Sequence, residues 1–485
     1  MEFITTPLSD IAPKVTEARR AFDDGRTKPY AWRVATLERL RDLLVEREDR
    51  FLDALAADFG KPRAEAWLTE IGFTVNDVNH TLAHLPLWMK PDKVATPVAF
   101  KPGKSYIVSE PVGVTCVIAP WNYPVQLLLV PVVAAIAAGN AVLAKPSELA
   151  PHTAAELVSL LDDLGDPAIA SVQGGVAETT ELLAQRFDHI LYTGNSRVAR
   201  IVMRAAAEHL TPVTLELGGK SPAIVSRNAN IDVAAKRIAW GKFVNAGQTC
   251  IAPDYVLVER SVHDQLVRAL GTSIESFYGS DPQASPDFTR IVNEPHFHRI
   301  EKLLHNGTVA IGGQSDPDTR YIAPTVLTGI TKDDPVMGEE IFGPVLPVIA
   351  VDSLDEAIRF VNDGAAKGDK PLALYTFSES DDENDTVLAN ATSGGACVNG
   401  TLLHISNPAL PFGGVGESGM GAYHGKFGFD TFSHQRSVHT RSTKIDPALM
   451  YPPYTPKKEK LLRKGMVMPD PRDVAAKARS YFHKP

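Results

Sequence analysis

Residues 112–148 read VGVTCVIAPWNYPVQLLLVPVVAAIAAGNAVLAKPSE. The run 112–119 is apolar and β-rich, and Pro120 stops it. A second apolar run, 141–144, is stopped by Lys145 and Pro146. The apolar stretch 125–144 has about the length of a membrane span, but it contains Gln126, Pro131, Gly139 and Asn140. Gly139-Asn140 reads as a turn, which favours a buried helix followed by a buried strand over a membrane helix. A third strand, 189–192, stops at Thr193-Gly194-Asn195, and a helical segment runs from 196 to 209. Strands that alternate with helices predict a parallel sheet covered by helices on both faces.

The pattern extends outward from there. Beyond Pro222 a second alternation begins, with strands at 223–225, 255–258 and 345–350 and helices at 233–243 and 262–278. The first hundred residues read mostly as helices; residues 35–44 place apolar side chains at helical spacing with charges between them. No period of 20–50 residues repeats, which argues against a solenoid. Residues 457–485 are basic and amphipathic, either a solvated helix or a surface-wrapping segment.

The 485 residues are too many for one core, so two or three packed units are expected. Formal net charge is −9 and there is no basic block, which argues against a nucleic-acid partner. The three cysteines, Cys116, Cys250 and Cys397, are odd in number and widely spaced. That is neither a disulfide framework nor a metal site, and it fits a reducing compartment. Met1-Glu2-Phe3-Ile4 lacks the basic start and apolar run of a signal peptide. The expectation is a cytoplasmic enzyme.

Five segments carry candidate chemistry. Cys250 ends FVNAGQTC, residues 243–250. A lone cysteine is most often a small buried hydrophobe, but Gly247, Gln248 and Thr249 belong to a loop. A nucleophilic cysteine needs an exposed, electropositive setting. Glu216 sits between leucines in LELGGKSP, residues 215–222. It reads as a solvated edge residue or as a carboxylate whose pKa desolvation raises into the range of a base. Asn122 lies just past the first strand, at the carboxyl edge where open α/β sheets bind ligands. Its amide suits an oxyanion, while Trp121 reads equally as a packing anchor. Lys145, Ser147 and Glu148 follow the second strand. They suit ribose or phosphate, or else start a helix with Ser147 as its cap. Residues 338–344, GEEIFGP, read as a turn before the strand at Val345. The match of residues 414–419 to G-x-G-x-x-G lacks the strand before and helix after that a dinucleotide fingerprint requires. It is taken as a flexible loop.

Together these segments resemble the aldehyde dehydrogenase superfamily. PWNYP, AKPSE, YTGN, LELGGKSP, GQTC, EEIFGP and PFGGVGESGMG occur in the family's order, and the resemblance covers residues 10–455. The stretch LPFGGVGESGMGAYHGKFGFDTFSH and Tyr451-Pro452-Pro453-Tyr454 look like class 3, the dimeric aromatic and fatty-aldehyde branch. So does the absence of a longer N-terminal extension. The resemblance implies a Rossmann-like NAD(P)-binding domain (1–92 and 112–214), an α/β catalytic domain (215–405), an oligomerisation β-flap (93–111 and 430–445) and a tail (446–485). It implies a homodimer without membrane anchor. It makes Cys250 the nucleophile, Glu216 the general base, and the Asn122 amide with the Cys250 N–H an oxyanion hole. Lys145, Ser147 and Glu148 would face the adenosine ribose. Thr193, Gly194, Asn195, Ser196, Arg197, Val198 and Ala199 would cover the pyrophosphate at a helix N-terminus. Ile118, Pro120 and Trp121 would line the cofactor site, with Glu340 on the nicotinamide ribose and Phe342 against the ring. Tyr123, Trp240 and Val244 would line an apolar aldehyde pocket.

The chemistry implied is thiolate attack, hydride loss to NAD or NADP, and hydrolysis of the resulting thioester by Glu216-activated water. A free thiol of pKa about 8.5 is only a few per cent thiolate at neutral pH, so a base or a nearby positive charge must raise that fraction. A CoA-acylating dehydrogenase is the first alternative, but members of that branch generally lack a Glu where Glu216 stands. A cofactor-independent cysteine thioesterase is the second, and would leave residues 145–148 and 338–344 without a role.

Overall fold

The computed structural model describes residues 4–466, apart from 98, 99, 367, 369 and 447. Its central device is the one read above. The strand Val114–Ile118 is buried along its whole length, and the helix Pro124–Ala138 follows it. All fifteen residues of that helix are buried. Pro124 sits in its first turn, where no N–H is needed. Gly139, at φ 91°, ends it in the left-handed conformation that glycine adopts without steric cost. Asn140 then secures the turn: its side-chain oxygen accepts the Gly113 N–H at 2.9 Å, and its amide donates to the Ala135 and Phe432 carbonyls. Burying one large aliphatic side chain stabilises by about 1.5–3 kcal/mol. A helix apolar on every face is therefore strongly held once protein surrounds it. Among the described residues no helix is long and apolar enough to cross a membrane.

The chain divides into two compact units. The larger, Met1–Trp88 with Pro111–His434, holds two large sheets and a two-stranded one, Ser315–Asp316 with Tyr321–Ile322. In the first, Val213–Glu216, His189–Thr193, Val114–Ile118, Ala141–Lys145 and Ile169–Ser171 lie side by side and parallel. Gly419–Met420 adds an antiparallel edge beside Leu215 and Glu216. In the second, Thr325–Thr328, Val345–Val351, Tyr255–Glu259, Pro222–Val225, Ala373–Phe377 and Gly395–Val398 are parallel, and Thr308–Ile311 closes one side antiparallel. Both alternations expected from the sequence are present, as an α/β fold with helices between the strands. The smaller unit, Met89–Glu110 with Gln435–Pro485, carries a three-stranded sheet in the order Asp92–Val94, Lys104–Pro111, Ser433–Thr440. A helix, Pro456–Met466, opens the basic tail; residues 467–485 of that tail lie outside the described residues.

Two local expectations are corrected. Residues 414–419 do not fold as a dinucleotide fingerprint, but neither are they a free loop. Gly419 pairs with Glu216, the Leu217 N–H donates to the Ser418 carbonyl at 3.0 Å, and the Ser418 hydroxyl ties back to Val415. Ser147 does not cap a helix. Its hydroxyl accepts the Leu149 N–H at 3.3 Å, and the next helix, Pro151–Asp162, starts only after Ala150. A local side-chain turn has won over helix initiation there.

Candidate active site

The helix Ile231–Phe243 ends in a short 3₁₀ turn, Val244–Gly247. Asn245, Ala246 and Gly247 follow one another at φ 53°, 50° and 73°. Left-handed backbone at two non-glycine residues in a row is costly and persists only where surrounding bonds enforce it. Those bonds are present. The Glu65 carboxylate accepts the Asn245 N–H at 2.9 Å. The Asn245 amide donates to the Asn122 and Gln248 carbonyls at 2.9 and 3.1 Å. The Gln248 side chain donates to the Asn245 and Arg290 carbonyls and accepts the Val292 N–H. At Gly247 a Cβ would strike the Gly343 carbonyl. The loop is thereby braced to present Cys250, a free, half-buried cysteine.

The setting of Cys250 differs from the electropositive one that a nucleophile needs. Burial pushes its thiol up, and the Glu340 and Glu216 charges push it further. Among the described residues no cation enters the balance at this thiol, and its surroundings favour the protonated form.

Glu216 ends the strand Val213–Glu216 and is only 2% exposed. Neither carboxylate oxygen has a hydrogen-bond partner among the described residues, and burial raises its pKa well above the usual carboxylate range. The solvated-edge reading is thus excluded for this residue. An orphaned buried carboxylate costs free energy unless a ligand, water or proton satisfies it, and it is poised to take a proton.

Asn122 is buried, and its side-chain amide donates one N–H to the Gln248 carbonyl at 3.0 Å. An amide nitrogen has two hydrogens, so one remains for a ligand. The neighbouring Tyr123 is buried, with its hydroxyl 2.7 Å from the Thr249 hydroxyl. Val244 is buried, whereas Trp240 is more than a third exposed on its helix. Trp121 meets Phe342 edge-on at 5.4 Å and His296 at 5.2 Å, so the anchor reading of Trp121 holds in this structure.

The other candidates sit at strand and helix ends of the first sheet. Ile118 ends its strand beside Lys145, and Pro120, only partly buried, follows. Lys145 is buried and pairs with Glu148 at 2.8 Å; Ser147 is buried between them. The Thr193 hydroxyl is buried without a partner. A Cβ at Gly194 would collide with the Tyr192 hydroxyl, which would have to shift to admit it. Asn195 caps the helix Ser196–Ala207 by accepting the Val198 N–H at 3.0 Å. Ser196 is half-buried, Arg197 is exposed, and Ala199 is buried against the sheet. Cap and macrodipole leave the first N–H groups of this helix facing outward, a ready anion site.

On the second sheet's side, residues 339–341 are held by Lys220, which donates to the Val336 and Glu339 carbonyls, and by Arg299, which donates to the Glu340 and Ile341 carbonyls. Asp254 accepts the Ile341 N–H and pairs with Lys220. Glu340 is pushed up to about 8, first by burial and then by Asp254. A Cβ at Gly218 would overlap its carboxylate. Phe342 adopts φ 46°, which turns it onto Trp121.

Among the buried charges that escaped the sequence reading are Lys61, Glu70 and Lys242, with Glu65 half-buried beside them. Lys61 lies between two helices and the other three within helical segments, where charge between apolar positions gives no sign of burial. Lys242 is wholly buried, its ammonium has no hydrogen-bond partner among the described residues, and burial lowers it to about 8. Tyr423 likewise has a buried, unpartnered hydroxyl.

Comparison with known proteins follows the same lines. A family model described as the aldehyde dehydrogenase family matches residues 5–438. A rat aldehyde dehydrogenase described as dimeric and NADP-preferring is 47% identical over 449 residues, covering 92% of this chain and 98% of the relative. A 4,4'-diaponeurosporen-aldehyde dehydrogenase of Staphylococcus aureus is 46% identical over 450 residues, covering 92% and 97%. Among solved structures, the substrate-bound state of Staphylococcus aureus AldH superposes with a TM-score of 0.91 at 44% identity, covering 94% of this chain and 99% of that one.

Proposed function

Since the chain belongs to the aldehyde dehydrogenase family, and is therefore an NAD(P)-dependent aldehyde-oxidising enzyme, we propose that it turns an aromatic or medium- to long-chain aldehyde into its acid through Cys250, Glu216 and Asn122. The observation that carries this reading is the Glu216 carboxylate: buried, unpartnered at both oxygens, and close enough for its charge to raise the Cys250 thiol.

The residues present fit a dinucleotide. Thr193 holds an orphaned hydroxyl beside a helix N-terminus, Lys145 and Glu148 stand at a strand end, and the Glu340 carboxylate occupies the space that the missing Gly218 side chain leaves. When bound, the nicotinamide supplies a hydride acceptor. Lys145, Ser147 and Glu148 hold the adenosine ribose, residues 193–199 the pyrophosphate, and Glu340 the nicotinamide ribose, with Ile118, Pro120, Trp121 and Phe342 lining the site. The Glu148 carboxylate favours NAD by repelling a 2′-phosphate, and its Lys145 partner offsets that charge enough for NADP to be accepted as well, a cofactor that the NADP-preferring rat relative takes.

In the first half-reaction Cys250 Sγ gives up its proton to solvent and bonds to the aldehyde carbon. The oxygen, now anionic, takes the free Asn122 N–H and the Cys250 N–H; such preorganised donors typically supply about 10²–10³ in rate. Loss of hydride leaves a thioester on Sγ. In the second half-reaction Glu216 takes a proton from water, the hydroxide adds to the thioester, and the acid leaves as Sγ regains its proton. Tyr123, Val244 and the inner side of Trp240 line the aldehyde pocket.

Cys250→Ser tests the assignment. Oxidation is expected to disappear while NAD(P)H fluorescence titration still shows binding. Turnover that survives in this variant and fails on replacing Cys116 or Cys397 refutes it. We further assign a cytoplasmic homodimer, with residues 93–111 and 430–445 as the flap, consistent with the dimeric rat relative. Light scattering at a monomer or tetramer mass counts against that.

A further inference from the structure

The amide of Asn122 acts only if its backbone is held still, and the holding residues come from the N-terminal helices. Gly60, left-handed at φ 63°, ends the helix Glu48–Phe59 and turns Lys61 inward. Residues Trp67–Ile71 then form a π-helical turn between the helices Arg63–Ala66 and Gly72–Trp88. Such turns are rare and concentrate at functional sites. This one carries Glu70, which is completely buried, as is the Lys61 side chain.

The pair has well-defined contacts. Glu70 Oε1 accepts the Lys61 ammonium at 2.9 Å. Glu70 Oε2 accepts the N–H groups of Val125 and Gln126, both at 3.0 Å. These are the first turn of the helix Pro124–Ala138, where a carboxylate also complements the helix dipole. Lys61 Nζ donates to the Asn122 carbonyl at 3.3 Å and lies 4.3 Å above the Tyr123 ring. The Asn122 carbonyl receives the Asn245 amide from the other side. One buried ion pair therefore grips every residue from 122 to 126 except Pro124, which has no N–H to offer.

A buried ion pair is weak evidence for stability, since well-packed apolar residues often replace one without loss. What it supplies here is a fixed geometry. We propose that Lys61 and Glu70 are positioning residues for the oxyanion hole: they hold the backbone of residues 122–126 so that the Asn122 amide faces the oxygen of the aldehyde bound to Cys250. The proposal rests on the oxyanion role of Asn122, and its test separates the two.

The variants are Glu70→Gln, the paired Lys61→Met with Glu70→Leu, and each of these combined with Asn122→Ala. The readouts are the first-turnover rate of NADH formation, KM for NAD, and the melting temperature. Both the single and the paired variant are expected to slow the first turnover by about 10–100-fold, the scale of a misplaced catalytic group, with KM for NAD unchanged. In the Asn122→Ala background the same changes are expected to slow it by less than about twofold, because residues acting through one another are not additive. Full multiplication of the two losses, or an unslowed first turnover in a folded variant, overturns the positioning role alone. An Asn122→Ala enzyme with normal first turnover overturns the oxyanion reading, and the proposal with it. If the paired variant fails to fold, Glu70→Gln, which is isosteric and keeps one acceptor, gives the same comparison.

Discussion

Replacing Glu340 with Gln removes the charge that most strongly raises the Cys250 thiol. Burial, then Asp254, pushes Glu340 up from 4.5 to about 8. The folded state thus binds this proton more tightly than the unfolded chain. A raised carboxylate pKa means that stability falls as pH rises from the unfolded value toward the folded one, and then levels. At about 1.4 kcal/mol per unit, the ionised group costs the wild type up to roughly 5 kcal/mol above pH 8, an upper bound that relaxation reduces. Glu340→Gln keeps the size and an acceptor for the Gly219 N–H. Without cofactor, the variant is expected to match the wild type near pH 5 and to melt progressively higher than it up to pH 8–9. Alkylation of Cys250 by iodoacetamide, followed by mass spectrometry, reads the other consequence. At pH 9 the variant should react faster, at about tenfold more thiolate for each unit by which the thiol falls, whereas below pH 7 the two proteins should react alike. KM for NAD should rise, since the proposed ribose contact is weakened. Parallel pH–stability curves together with equal alkylation at pH 9 refute the reasoning.

Glu216→Gln should separate the half-reactions: a first-turnover burst of NADH, then a slow steady state with acyl-enzyme visible by mass spectrometry. An unchanged steady state without acyl-enzyme makes Glu216 structural, and Glu340 becomes the next candidate base. If Glu216 also takes the Cys250 proton, the burst itself slows and becomes more pH-dependent. Gly218→Ala places a methyl where the Glu340 carboxylate lies, so KM for NAD should rise with little change in melting temperature; an unaltered KM would show that Glu340 moves aside freely.

The fold was legible because its signals are local. The apolar runs around Pro120, Gly139 and Lys145 have few alternative conformations, and all became the elements expected of them. Cys250, Glu216 and Asn122 stood out because each departs from its surroundings: a cysteine in a glycine-bearing loop, a carboxylate among leucines, an amide past a strand end. Lys61, Glu65 and Glu70 gave no such signal. Their placement follows from contacts with residues 122–126 and 245, far along the chain, and a charged residue in or beside a helix looks the same in sequence whether it faces water or an ion pair. Ser147 misled for a related reason: a serine before an acidic residue fits a helix cap and a two-residue turn equally well. The six-residue glycine pattern at 414–419 lacks the strand and helix of a dinucleotide fingerprint, as expected, but pairing across two hundred residues could not be read from it.

That pairing bears on how the protein is made. Synthesis delivers residues 213–216 long before Gly419–Met420, so the five parallel strands of the first sheet are complete while their outer edge is still bare. An unpaired strand edge is a template for a neighbouring chain, and slow parallel sheets prolong the exposure. The growing polypeptide therefore carries its proposed general base on an open, sticky border until nearly the end of translation. A chain broken off before Gly419 keeps every residue of the proposed chemistry, yet leaves the strand that bears Glu216 unsealed.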